Sequence, residues 1–206
     1  MARKRLPAQE RRKQILKNAI HVFAQRSYHG ATTKMISAEA EVAEALIFRY
    51  FGSKRNLFCE AVAQSGKRMV DGLERILEEN EDNPGGALEG LLIYYIQLLR
   101  RHADLAKMIF LVSAELDAPE VREAYLPHQD RALLLLTRAV ASWQRSGRVR
   151  GDISPRAAAW LIFGCFQVLA LMKHSGKLDE VDVAVAISFV KPYVEGIGVV
   201  EPAERG

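Results

Sequence analysis

Cysteine is nearly missing from this chain. Cys59 and Cys165 are the two in 206 residues, and they form no C-x-x-C pair. That excludes a disulfide framework and a cysteine-pair zinc module, and both are expected to be small core residues. The five histidines (21, 29, 102, 128 and 174) are scattered, without an i, i+4 pair, so no metal site is expected. His102 lies near Asp104, but no nucleophile with a recognisable setting accompanies them. No G-x-G-x-x-G, P-loop or G-x-S-x-G pattern occurs, and Gly85-Gly86 is expected to break a helix. No cofactor is implied, and catalysis is not expected. A long apolar run is also lacking. The nearest is Ala157–Met172, sixteen residues interrupted by Gln167 and bounded by Arg156 and Lys173. It falls short of the ~20 residues that cross a bilayer, so a helix buried at a subunit interface or in a domain centre is expected instead. The first residues are basic but carry no apolar stretch, which predicts a cytoplasmic protein.

Charge is plentiful and unevenly placed. Residues 1–58 hold twelve Lys and Arg against four acids, a net of +8, while the rest carries 17 against 21, a net of −4. A basic head on a mildly acidic body points to a polyanion partner for the head. A membrane surface is the poorer fit, because the apolar faces of the head are needed for its own core.

The pattern within the head says which polyanion. Residues 10–26 place Ile15, Leu16, Ala19, Ile20 and Phe23 on one helical stripe. A short helix follows, with Thr33 expected as its N-cap and Met35, Ile36 and Ala40 as its apolar side. After a turn near Glu41-Val42, Leu46/Tyr50 and Ile47/Phe51 repeat at i, i+4, leaving Glu44, Ala45, Phe48 and Arg49 outside. Three helices with a short second turn make a helix-turn-helix DNA reader.

These residues resemble the TetR family of bacterial transcriptional repressors. The resemblance is carried by Arg12/Ile15/Leu16/Ala19/Phe23, Thr32-Thr33, Ile36-Ser37, Ala40-Glu41-Val42-Ala43, Ile47-Phe48, Phe51, Ser53-Lys54 and Leu57, about 50 residues at fixed spacing. It departs from the family at four places. Glu41 stands for a glycine, Ala43 for a capping Ser or Thr, Leu46 for a Thr, and Phe48 for a Tyr. A lost N-cap typically costs ~1 kcal/mol.

The resemblance implies that Thr33 and Lys54 hold DNA phosphates, with Arg3, Lys4 and Arg5 reaching from a flexible arm. Glu44, Ala45, Phe48 and Arg49 are expected to read bases, with a phosphate-only contact the alternative for Arg49; Tyr50 is expected to lie nearer the backbone, and Thr32, Lys34 and Leu46 to complete the interface.

Beyond residue 53 the pattern predicts helices over 54–79, 87–102, 104–116, 120–146 (kinked at Pro127), 155–174 and 179–195. The fold class is therefore all-α, with a three-helix DNA-binding domain over 1–52 and a helical effector-binding and dimerisation bundle over 53–206. The resemblance implies a ligand cavity in that bundle; Met69, Tyr94, Tyr95, Met108, Phe110, Trp143, Phe163 and Phe166 are its candidate lining, with plain core packing the alternative for each, and the few charges in these stripes suit a hydrophobic or aromatic effector. Helix 155–174 is apolar nearly all round. It is expected to pair with 179–195 across a homodimer interface containing Phe166, Ala184 and Ile187.

The combined expectation is a homodimeric regulator on a palindromic double-stranded operator, most simply a repressor released by its effector. A helical enzyme and a protein-binding adaptor are the alternatives, and sequence-specific binding to a short duplex separates the regulator from both.

Overall fold

The computed structural model describes residues 7–178 and Ser188. It is all-α. The helices are α1 (Ala8–Gly30), α2 (Thr33–Glu39), α3 (Glu44–Phe51), α4 (Lys54–Glu79), α5 (Pro84–Arg101), α6 (Ala103–Val112), α7 (Pro119–Arg145) and α8 (Pro155–His174), with one 3-10 turn at Ser113–Glu115. Residues 7–67 and 102–128 pack as one unit, and 68–101 and 129–178 as another. The expected helix 179–195, with Ala184 and Ile187, and the arm residues Arg3, Lys4 and Arg5 lie outside the described residues.

In the first unit the stripe on α1 is buried as its spacing requires: Ile15, Ala19 and Phe23 are fully enclosed, with Leu16 and Ile20 nearly so. Phe23 meets Phe58 of α4 edge to face, with ring centroids 5.1 Å apart. That is a favourable geometry for two ring quadrupoles. The helical geometry of α1 breaks at Ser27 (φ 58°, ψ 177°), where the sequence pattern also stops. Arg12 lies over the Phe51 ring, 4.8 Å from its centroid, and binds Glu60 through both carboxylate oxygens at 2.5 and 2.6 Å. It thereby ties α1 to α3 and α4. α6 also packs on α1, where His21 Nδ1 is 2.7 Å from Asp104 Oδ2.

In the second unit, α5 buries Leu88, Leu91, Leu92, Tyr95 and Leu99 as its pattern predicts. Tyr95 meets Phe166 of α8 with ring centroids 5.0 Å apart. Trp143 of α7 is buried and donates its indole N–H to the Glu81 carbonyl at 2.7 Å.

One helix start and one helix end differ from the sequence expectation by three or more residues. α5 begins at Pro84 rather than Ala87, because Asn83 acts as the cap: its Oδ1 accepts from Gly86 N at 3.0 Å. The Asn-Pro pair is a start signal of the same kind as Ser154-Pro155, and it outweighs the two glycines. α6 ends at Val112 and tightens into the 3-10 turn rather than running to 116. α4 and α8 have the expected limits, and Ser154 caps α8 by accepting from Ala157 N.

Candidate nucleic-acid interface

α2 and α3 stand on the α1 core. Ile36 and Ile47 are fully buried and Phe51 nearly so, which fixes the inner faces of both short helices. Thr32, not Thr33, caps α2, accepting from Met35 N at 3.1 Å. The preceding residue holds the extended backbone that a cap needs (φ −119°, ψ 153°), while Thr33 is already helical. Met35, expected inside, is 45% exposed. The turn closes through Val42 N to Ser37 O at 2.9 Å, with Glu41 in the left-handed region (φ 51°) where glycine carries no penalty.

α3 then starts at Glu44 with Ala43 as N-cap, and no side chain caps it. Glu44 offsets part of that loss. Its carboxylate sits in the first turn, where the helix dipole favours negative charge. Its Oε1 accepts from the Thr33 hydroxyl at 2.5 Å, linking the first residue of α2 to the first of α3.

Of the four residues expected on the outer face of α3, three are exposed, while Glu44 is half-buried because its carboxylate turns to the Thr33 hydroxyl. Ala45, Phe48 and Arg49 are exposed, with Phe48 49% accessible, while Leu46 and Tyr50 are half-buried. Lys34 on α2 is exposed, and neither it nor Arg49 pairs with an acid among the described residues. The exposed side of this helix-turn-helix thus presents two free cations and two apolar side chains, Met35 and Phe48.

Other basic residues of the head are engaged internally. Lys54 donates to the carbonyl oxygens of Tyr28 and Ala31, both at 2.9 Å, which leaves one of its three N–H groups. Arg55 lies over the Tyr28 ring, 4.2 Å from its centroid, and pairs with Glu120 at 3.3 Å and Glu115 at 3.8 Å. Only part of the +8 charge of the head is therefore available to a polyanion. The sequence carries no sign of these pairings, because their acids lie some sixty residues away.

The residues expected around an effector fall in both units. Met108 is fully buried and Phe110 partly so in the first, while Met69, Tyr94, Tyr95, Trp143, Phe163 and Phe166 belong to the second. Within the second, Tyr95 and Phe166 are in contact. Tyr94 donates its hydroxyl to Arg68 O at 3.1 Å, and burial pushes its phenol pKa up. An open groove of about 490 Å³ between α4 and α7 is lined by Glu74, Glu78, Arg138, Ser142 and Trp143 among others. Leu77, Leu135, Ala139 and Ala141 also line it, so charged and apolar side chains share its walls, and of the residues expected around an effector Trp143 is among them. Among the described residues, no cluster of His, Cys, Asp and Glu is arranged to hold a metal.

Residues 15–61 match the family described as bacterial regulatory proteins, tetR family. The HTH-type transcriptional activator FasR of Mycolicibacterium smegmatis is 34% identical over 79 residues, 38% of this chain and 36% of that protein. The HTH-type transcriptional repressor SCO4008 of Streptomyces coelicolor is 30% identical over 140 residues, 68% of this chain and 66% of that one. The matches thus span about a third of the first relative's length and just under two thirds of the second's. The solved FadR of Bacillus subtilis, in complex with stearoyl-CoA, has the same fold at 24% identity. Its TM-score is 0.73, over 90% of this chain and 98% of that chain. Through the match at its helix-turn-helix and the 30% identity with SCO4008 over 140 residues, the chain belongs to the tetR family of bacterial regulatory proteins.

Proposed function

We propose that this protein is a ligand-responsive transcriptional regulator that binds a palindromic operator as a homodimer. Residues 1–52 contact DNA, and residues 53–206 take the effector and form the dimer. The observation that carries this reading is the exposed face of α3, with Ala45, Phe48 and Arg49 outward from a helix seated on a buried core in a basic head. In this reading Arg49 donates two hydrogen bonds to guanine, and Phe48 or Ala45 packs on a thymine methyl; their exposure supports it.

Dimerisation is supported by α8. Trp160, Leu161, Val168 and Leu171 are between 46% and 55% exposed in the single chain, on a helix long and apolar enough to cross a membrane by length and composition. A second copy covering that face matches the two-fold symmetry of a palindrome. Each recognition helix then needs a major groove about one helical turn (~34 Å) from its mate, so a small change in head separation loses contacts on both half-sites.

Release by a small hydrophobic or aromatic effector, acting as the signal for derepression in the cytoplasm, completes the reading. The stearoyl chain of the stearoyl-CoA held by the similar FadR supports an effector with a long apolar part, although its CoA part is charged. No cofactor and no catalytic step enter it.

Selection of bound duplexes from a random pool tests it. Enrichment of an inverted repeat is expected, and Arg49→Ala should erase the preference at one base pair in each half-site. A pool that stays random overturns the reading.

A further inference from the structure

The Thr33 hydroxyl has one proton, and in this structure it is donated to Glu44 Oε1 at 2.5 Å. Phosphate oxygens at the pH of the cell only accept. A hydroxyl whose proton is committed to a carboxylate cannot also donate to a phosphate. Nor does Thr33 serve as the cap of α2, since Thr32 fills that role. The Thr33 side chain is thus accounted for by a single contact, and that contact leads to the base-reading helix.

Glu44 is the other half of the argument. It opens α3 beside Ala45, Phe48 and Arg49, and it is half-buried where those three are exposed. A glutamate at such a place has two courses. Left free, its flexible carboxylate swings against the approaching phosphates and weakens binding to every sequence. Held by one oxygen, it keeps a fixed direction and leaves the other oxygen to accept. The Thr33 bond takes Oε1, and Oε2 has no partner among the described residues. A carboxylate oxygen at the edge of the major groove is matched by the exocyclic amino group of cytosine, the one base that offers only a donor there.

We infer that Thr33 is a positioning residue for base readout rather than a phosphate anchor: it holds Glu44 so that one carboxylate oxygen accepts from a cytosine N4 amino group. This rests on the DNA-reading function proposed above. It also gives Thr33 and Glu44 one shared role, where the family resemblance assigns Thr33 to the backbone.

The test is a double-mutant cycle read by duplex selection and by salt-dependent binding, using the full chain. Thr33→Val keeps the β-branched shape and removes the proton. It is expected to lower the preference for cytosine at one base pair per half-site by about tenfold, within the range of one good base contact. Affinity for a random duplex and its salt slope should stay as they were. Thr33→Ser should restore the preference, and in a Glu44→Ala background Thr33→Val should change nothing further. A Thr33→Val variant that binds all duplexes more weakly, with a flatter salt slope and an unaltered motif, overturns the inference and returns Thr33 to the phosphates. Independent, additive effects of the two substitutions overturn it as well. If the unaltered protein enriches no motif at all, the DNA-reading function itself falls, which is a different result from a motif that survives Thr33→Val.

Discussion

Lys54 closes the end of α1 by holding Tyr28 twice: its ammonium accepts no bond but donates one to the Tyr28 carbonyl at 2.9 Å, and it lies over that residue's ring, 4.4 Å from the centroid. A second bond to the Ala31 carbonyl, also 2.9 Å, fixes the chain just before α2. Lys54→Ala is expected to cost about 1.5–3 kcal/mol, the range for hydrogen bonds to a charged group. Urea unfolding measures it. The third N–H remains for DNA, so the same variant should bind all duplexes more weakly, with a salt slope flatter by about one charge. Unchanged stability would remove the structural half of this account.

Gly72 and Tyr94 make a second sharp test. A Cβ on Gly72 would sit 2.2 Å from Tyr94 Cζ and Oη, so the Tyr94 ring must move and give up its bond to Arg68 O to admit it. Gly72→Ala should therefore destabilise by roughly 1–3 kcal/mol through overpacking. In a Tyr94→Ala background the clash is gone, and the same change should stabilise by up to ~1 kcal/mol through helix propensity. Thermal unfolding of the four proteins reads the reversal of sign.

The exposed face of α8 can take a charge without unfolding the protomer, since Val168 is 52% and Leu171 55% accessible. Val168→Glu with Leu171→Glu is expected to give a folded monomer that no longer binds the operator. Sedimentation at micromolar concentration checks it. A variant that stays dimeric would move the proposed interface elsewhere, and a monomeric unaltered protein would end the two-headed mechanism.

Tyr125 supplies a pH test. Burial pushes its phenol above the ordinary tyrosine value, so the folded chain keeps this proton where the unfolded chain has begun to lose it. Stability from this group is complete below the ordinary pKa of about 10 and is lost as pH rises through the folded value. Unfolding free energy should fall more steeply above pH 10 in the unaltered protein than in Tyr125→Phe. Parallel curves would remove Tyr125 from the account.

Much of this molecule is legible in its sequence because helices advertise themselves by local periodicity and caps. The limits of α4 and α8 follow from spacing and caps, and so do three of the four residues expected outside on α3, Ala45, Phe48 and Arg49; the fourth, Glu44, is half-buried against Thr33. α5 was harder, since Gly85-Gly86 argues for a break while Asn83-Pro84 argues for a start, and only the formed cap decides between them. Met35 fits the apolar pattern of α2 yet lies outside, because a helix of seven residues has too little inner face to enclose it as well as Ile36. What no local pattern carries is the partner of a polar group. Lys54 meets carbonyls 26 and 23 residues back, and Thr33 meets a carboxylate 11 residues on. Those distances depend on the folded path, and they decide which donors are left for DNA.

The unit that carries the reader is assembled from two separate stretches of chain, 7–67 and 102–128, and this bears on how its specificity can be inherited. α1 supports α2 and α3, but it also rests on α6, and His21, His29 and Arg55 bind Asp104, Glu115 and Glu120 from the second stretch. A gene exchange that cuts near residue 52 would transfer the letters of the recognition helix while leaving behind part of the platform on which they are set. Recombination among relatives should therefore favour single changes on α3, or joint replacement of both stretches, over the transplant of an N-terminal cassette.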